Sequence, residues 1–162
     1  MLKTLMDNNN SPPDSRALEA SLRFLNFKPR TEGELHQKLT KLGFPQEVRD
    51  NTCAYLKGRG LIDDERYTED WILERSEKKR SSRRKIFHEL MSKGISREIA
   101  EERLNQLYPP DLEVEKAAWV ARKFMRNNQD LSHKEMETKI KNLLFRKGFD
   151  GDTIRKVCHQ LF

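Results

Sequence analysis

Strand-forming residues are scarce in this chain: seven Ile and four Val stand against nineteen Leu. That shortage, beside abundant Lys, Arg and Glu, disfavours sheet and favours helix. Apolar mass is thin as well. Leu, Ile, Val and Phe together are 38 of 162 residues, and the mean hydropathy of −0.91 is strongly polar. That fraction lies just above the level of about one residue in five below which charged chains stay disordered. A single thick core is therefore excluded, and several thin helical layers fit best. Cysteine occurs only twice, at Cys53 and Cys158. Two such distant thiols make no disulfide framework, and no CxxC or Cys/His zinc spacing is present. No apolar run approaches the ~18 residues that span a bilayer. Residues 1–15 carry one Lys and an Asn8-Asn9-Asn10-Ser11-Pro12-Pro13 tract, which reads as a flexible tail and not as a signal peptide. Together these absences predict a soluble, cytosolic protein.

What is present is a threefold repeat. Leu35, Leu39, Gly43 and Phe44 recur as Ile86, Leu90, Gly94 and Ile95, and again as Ile140, Leu144, Gly148 and Phe149. The apolar pair marks one helix face, the glycine ends the helix, and the next apolar residue packs back. Ten residues beyond each glycine stand Cys53, Leu104 and Cys158, which mark a second helix opened by Pro45, Ser96 or Asp150. A further amphipathic segment precedes each pair, marked by Leu18, Leu22 and Leu25, by Tyr67, Trp71 and Ile72, and by Ala117, Ala121 and Phe124. The expected architecture is all-α: a tail at 1–15, then three-helix repeats at 16–60, 61–109 and 110–162.

The repeat also disposes of residues that could suggest chemistry. Cys53 and Cys158 occupy the place of Leu104, so they read as small core residues. The four histidines share no ligand spacing, and His88-Glu89 lacks the second His of a metalloprotease helix. No phosphate-binding glycine loop or nucleophile motif appears. No catalytic residue, metal or cofactor is expected. Trp71 and Trp119 lie among apolar helix positions and are expected to pack in the core.

Charge is arranged in blocks. From Arg75 to Lys93 there are eight bases (Arg75, Lys78, Lys79, Arg80, Arg83, Arg84, Lys85 and Lys93) against two acids, which equals the net +6 of the whole chain. Asp63 to Glu74 holds six acids and one Arg, whereas Lys116 to Lys147 holds nine bases and three acids, including Lys123, Arg126, Lys139, Lys141, Arg146 and Lys147. Such blocks create surface fields that suit a polyanion. The helix starts sharpen this. Thr31-x-x-Glu34 and Ser132-x-x-Glu135 are capping boxes, but the middle repeat reads Ser82-x-x-Lys85, with Arg83 and Arg84 in the same turn. Cations there oppose the helix dipole, each at about 0.3–1 kcal/mol when exposed, and an anion docked on that turn would reverse the effect.

Two motifs carry a resemblance. Gly60-Leu61-Ile62-Asp63-Asp64-Glu65-Arg66-Tyr67 is similar to the Gly-Tyr-Leu-Asp-Asp-x-Arg-Phe signature of the bacterial RecX family, and Lys85-Ile86-x-x-Glu89-Leu90-x-x-Lys93-Gly94-Ile95 follows at that family's distance. The chain departs from the family at Arg80-Ser81-Ser82, where many members have glycine. The resemblance implies an elongated, curved array of three-helix units. It further implies a monomeric regulator, usually an inhibitor, that binds the groove of a RecA-type recombinase filament on single-stranded DNA. Weak binding to bare DNA suits the fourteen bases named above. A helix-turn-helix reader of duplex DNA is disfavoured, because the second helices open on acidic turns such as Gln46-Glu47-Val48-Arg49-Asp50.

Overall fold

The structure, a computed structural model, describes residues 13–162. Among these residues the chain is helical, with no strand. The first domain comprises α1 (Ser15–Asn26), α2 (Glu32–Lys41) and α3 (Gln46–Gly58). The second has α4 (Asp64–Leu73), which widens into a π-helical turn at Glu74–Lys78, then α5 (Arg83–Ser92) and α6 (Arg97–Leu107). The third has α7 (Pro110–Arg126), α8 (His133–Arg146) and α9 (Gly151–Leu161). The triplicated pattern is thus three tandem three-helix domains. Helix α1 starts at Ser15, capped by Asp14 through the amides of Arg16 and Ala17. The tail expected ahead of it lies outside the described residues up to residue 12.

Each repeat glycine ends its helix in the left-handed region, with φ of +83° at Gly43, +79° at Gly94 and +90° at Gly148. At α2 the Phe44 amide donates to Leu39 O and the Gly43 amide to Thr40 O; at α8 Phe149 and Gly148 donate to Leu144 O and Phe145 O in the same way. This is the Schellman stop, and it turns the following apolar residue back onto the helix. Leu39, Leu90 and Leu144 are fully buried, as are Leu35, Ile86 and Ile140. In the leading helices the expected Ile72, Ala117 and Ala121 are fully buried, but α1 follows a different rule. In α1 the buried residues are Ala17 and Ser21, while Leu22 stands 44% exposed. Small side chains admit close helix approach, so the stripe of leucines flanks the contact instead of forming it.

Cys53 and Cys158 are buried free thiols, in the layer that Leu104 fills in the second domain. Burial pushes the Cys53 thiol up to about 11 and raises that of Cys158 as well. The thiolate is the reactive form, so labelling of either cysteine in the folded protein should be slow and should accelerate on unfolding. Rapid stoichiometric labelling of the native protein by a thiol reagent would contradict this placement.

The helices fall into two compact units. One runs to Tyr67 and takes in Lys93–Ile95; the other is Thr68–Ser92 with Ser96–Phe162. Within the first, the Thr31 hydroxyl that caps α2 donates to Lys93 O, Glu34 pairs with Lys93 at 3.3 Å, and Gly33 lies against Gly94. Within the second, the Ser82 amide donates to Lys147 O at 3.3 Å, and Gly148 lies against Ser82 and Lys85. The same joint is used twice: the first turn of one domain's second helix rests on the glycine turn of the next domain.

Candidate nucleic-acid interface

The second joint explains the anomalous start of α5. Thr31 and Ser132 direct their backbone N–H to the glutamate three residues on, Glu34 and Glu135. Ser82 gives its N–H to Lys147 O instead, so no acid is needed at position 85. The Ser82 hydroxyl still accepts from the Lys85 amide at 3.1 Å. The anion expected at this turn comes from the chain itself: Glu113 of α7, only 8% exposed, accepts from the Arg83 amide at 2.8 Å. Arg83 is spoken for as well. Its guanidinium donates to Leu104 O, Tyr108 O and the Asn105 side chain, closing the C-terminal end of α6. Three internal acceptors thus hold the guanidinium of Arg83.

Burial raises the Glu113 carboxyl above its ordinary 4.5, and the nearby Asp150 adds to the rise against the opposing Arg83 amide. A raised carboxyl pKa means that the folded state holds its proton longer than the unfolded state does. The stabilisation from that proton is complete below about 4.5 and is lost as pH climbs through the raised folded value. Glu113→Gln keeps an oxygen for the Arg83 amide and removes the desolvated charge. It is expected to be at least as stable as the parent at neutral pH, with a flatter stability profile above pH 4.5, whereas Glu113→Ala should lose about 1–3 kcal/mol by orphaning the amide. Urea unfolding at several pH values checks this. Equal losses from both variants would mean that the negative charge itself is required.

Ahead of α5 the chain bends at Arg80, the one described non-glycine residue in the left-handed region, with φ of +52°. A non-glycine side chain in this region costs about 1–2 kcal/mol. The bend carries the Arg80 guanidinium over the indole of Trp119, 4.6 Å from its centroid, and within 3.4 Å of Glu77. Lys123 Nζ approaches the same ring at 5.2 Å. Glu77 is held ionised chiefly by the hydrogen bond from Lys116, at 2.5 Å.

These residues wall a cleft of about 400 Å³, lined by Lys78, Lys79, Arg80, Lys123 and Lys147, with Trp119, Phe124, Asn127 and Asn128. Lys147 is half-buried, and its ammonium donates to Lys79 O at 2.9 Å. Loss of water, then the charges of Lys85 and Lys123, pull its pKa below the usual lysine value. Five cations thus share a small space with one carboxylate, Glu77, that Arg80 and Lys116 already engage. Such a cleft stabilises an anion that enters it.

The remaining predicted bases are dispersed. Arg75 stacks on Trp71 at 4.2 Å and pairs with Glu89, which also accepts from the Trp71 indole. Lys93 belongs to the first unit and is paired with Glu34. Lys141 pairs with Glu137 along α8. Arg84, Lys85, Arg126, Lys139 and Arg146 are exposed, and among the described residues none of them has an ion pair.

Trp119 is the residue that the sequence reading misplaced. It is 40% exposed on the cleft wall and not in the core. The signal was present: at 100° per residue it lies roughly 200° around α7 from Ala117, opposite the buried face of Ala117 and Ala121 and between Arg122 and Lys123. Glu113 had no comparable signal, because its role depends on a partner thirty residues away.

Among the described residues no group of three His, Cys, Asp or Glu could share a metal ion, and no helix is long and apolar enough to cross a membrane. Family models for the first, second and third three-helix domains of RecX match residues 17–56, 63–104 and 111–158. The regulatory protein RecX of Finegoldia magna is 31% identical over 142 residues, covering 87% of this chain and 69% of that one. That of Chlorobium phaeobacteroides is 30% identical over 149 residues, covering 92% and 95%. The crystal structure of RecX from Lactobacillus salivarius superposes with a TM-score of 0.79 at 30% identity, covering 91% of this chain and 95% of that one. With all three domains matched in order and relatives aligned along most of their length, the chain belongs to the RecX family of regulatory proteins.

Proposed function

We propose that the protein restrains a RecA-type recombinase by binding in the groove of its filament on single-stranded DNA. Occupying that groove limits filament extension, and with it ATP hydrolysis, strand exchange and SOS co-protease activity. The protein acts as a cytoplasmic monomer with weak affinity for bare DNA and with no catalytic step of its own. One observation carries the reading: in a chain of RecX domains, Lys78, Lys79, Arg80, Lys123 and Lys147 converge on one cleft that lacks the acids to neutralise them. Arg84, Lys85, Arg126, Lys139 and Arg146 are further exposed bases, and bases of this kind hold phosphates through counterion release.

Titrating the protein into a RecA-type ATPase reaction on single-stranded DNA tests this. ATP hydrolysis should fall well before the protein covers the DNA, and adding bare DNA should not restore it. If inhibition tracks only the DNA sequestered, the protein is a sequence-tolerant DNA binder that does not act through the recombinase.

A further inference from the structure

A cleft built only to meet phosphates has no use for an indole. Trp119 nevertheless stands on its wall, 40% exposed and turned away from the buried face of α7. Two cations lie over the ring, Arg80 at 4.6 Å and Lys123 at 5.2 Å from its centroid, so an entering base takes the place of one of them as that cation turns onto the phosphate. Asn127 and Asn128 add polar groups to the lining, and Asn128 donates its amide N–H to Phe124 O. The cleft volume of about 400 Å³ lies within the range of small-ligand sites. Aromatic face, adjacent cations and a polar rim are the elements with which proteins hold an unstacked base beside its phosphate.

We propose that this cleft is a nucleotide subsite, with one base stacked on Trp119 and its phosphate held among Arg80, Lys123 and Lys147. The subsite rests on the filament-binding reading and deepens it by naming what is gripped. A duplex cannot supply the ligand, because its bases are paired and stacked; a single strand or a free nucleoside monophosphate can. Arg80 suits both halves of the ligand, since its planar guanidinium can fork onto a phosphate or stack on a ring. Its unfavourable backbone conformation is then the means by which a cation reaches the indole from the turn and not from a helix.

The experiment compares oligo(dT), an abasic phosphodiester strand of equal length, the matching duplex, dTMP and polyglutamate, each titrated while Trp fluorescence is followed. Parent protein should bind oligo(dT) about 5- to 100-fold more tightly than the abasic strand, the range expected for stacking one base, with quenching of the emission. Trp119→Ala should erase that preference and bind both strands alike, and Trp119→Phe should restore most of it. Saturation by dTMP at concentrations comparable to oligo(dT) would identify the free nucleotide as the ligand; weaker binding by orders of magnitude would identify the strand. Equal binding of oligo(dT) and the abasic strand by the parent overturns the subsite, as does a preference that survives in Trp119→Ala, binding of neither strand, or saturation by polyglutamate instead. The filament reading fails separately. If the base preference holds while the ATPase of the recombinase filament is untouched, the subsite stands and the proposed regulation falls.

Discussion

Gly94→Ala is expected to lose about 2–5 kcal/mol of stability, and Gly43→Ala only about 1–2 kcal/mol, although the two glycines are equivalent in the repeat and nearly identical in φ. The shared part is the cost of a left-handed backbone for alanine. The difference is what the new methyl group meets. At Gly43 nothing lies within 4 Å, whereas at Gly94 it would come to 2.8 Å from the Cα of Gly33, which is backbone and cannot swing aside. Gly148→Ala should fall between them, since the Ser82 hydroxyl at 2.7 Å can rotate away while the Lys85 Cβ at 3.0 Å gives only with its backbone. Denaturant unfolding of the three single variants reads the order directly. Equal losses at Gly43 and Gly94 would show that the Gly33–Gly94 approach contributes nothing to stability.

Removing the cleft cations together should abolish most regulatory activity at little structural cost. In the triple variant Arg80→Gly, Lys123→Gln and Lys147→Gln, the glycine relieves a strained backbone while losing one ion pair and one cation–aromatic contact. Lys123→Gln gives up a second cation–aromatic contact and Lys147→Gln the bond to Lys79 O, while both relieve crowded positive charge, so the net loss should stay within about 1–2 kcal/mol. Affinity for single-stranded DNA should drop by about tenfold or more, and the log–log salt dependence should flatten by roughly 0.7 for each cation that met a phosphate. Inhibition of the filament ATPase should weaken in parallel. A variant as stable as the parent that inhibits normally, with an unchanged salt slope, would mean that the cleft is only a solvated face. The exposed Lys139 and Arg146, with Lys141, would then be the next candidates.

The residues that the two experiments address differ in how far the sequence revealed them. The glycines, the apolar pairs and the capping boxes of Thr31 and Ser132 are local features with fixed spacing, and each was legible before any coordinates. The basic block was legible as composition, but composition could not say which bases face outward. Arg83 and Arg80 are three positions apart in the same block; the first closes the end of α6 and the second lines the cleft. Trp119 was misread because it was judged by its neighbours in sequence and not by its angle on the helix.

By itself the sequence determined the helical class, the three repeats and the glycine stops, because these follow from interactions within ten or so residues along the chain. It also determined the family, through two motifs and the triplicated unit. Only the tertiary structure decided the chemistry of the α5 start. The capping groups there, Glu113 and Lys147 O, come from the next domain, and contacts at such separations leave no periodic trace. The cleft was decided in the same way. Its cations come from the end of the π-helical turn and the bend after it, the last turn of α7 and the residue that caps α8, and only packing brings these three places to one wall.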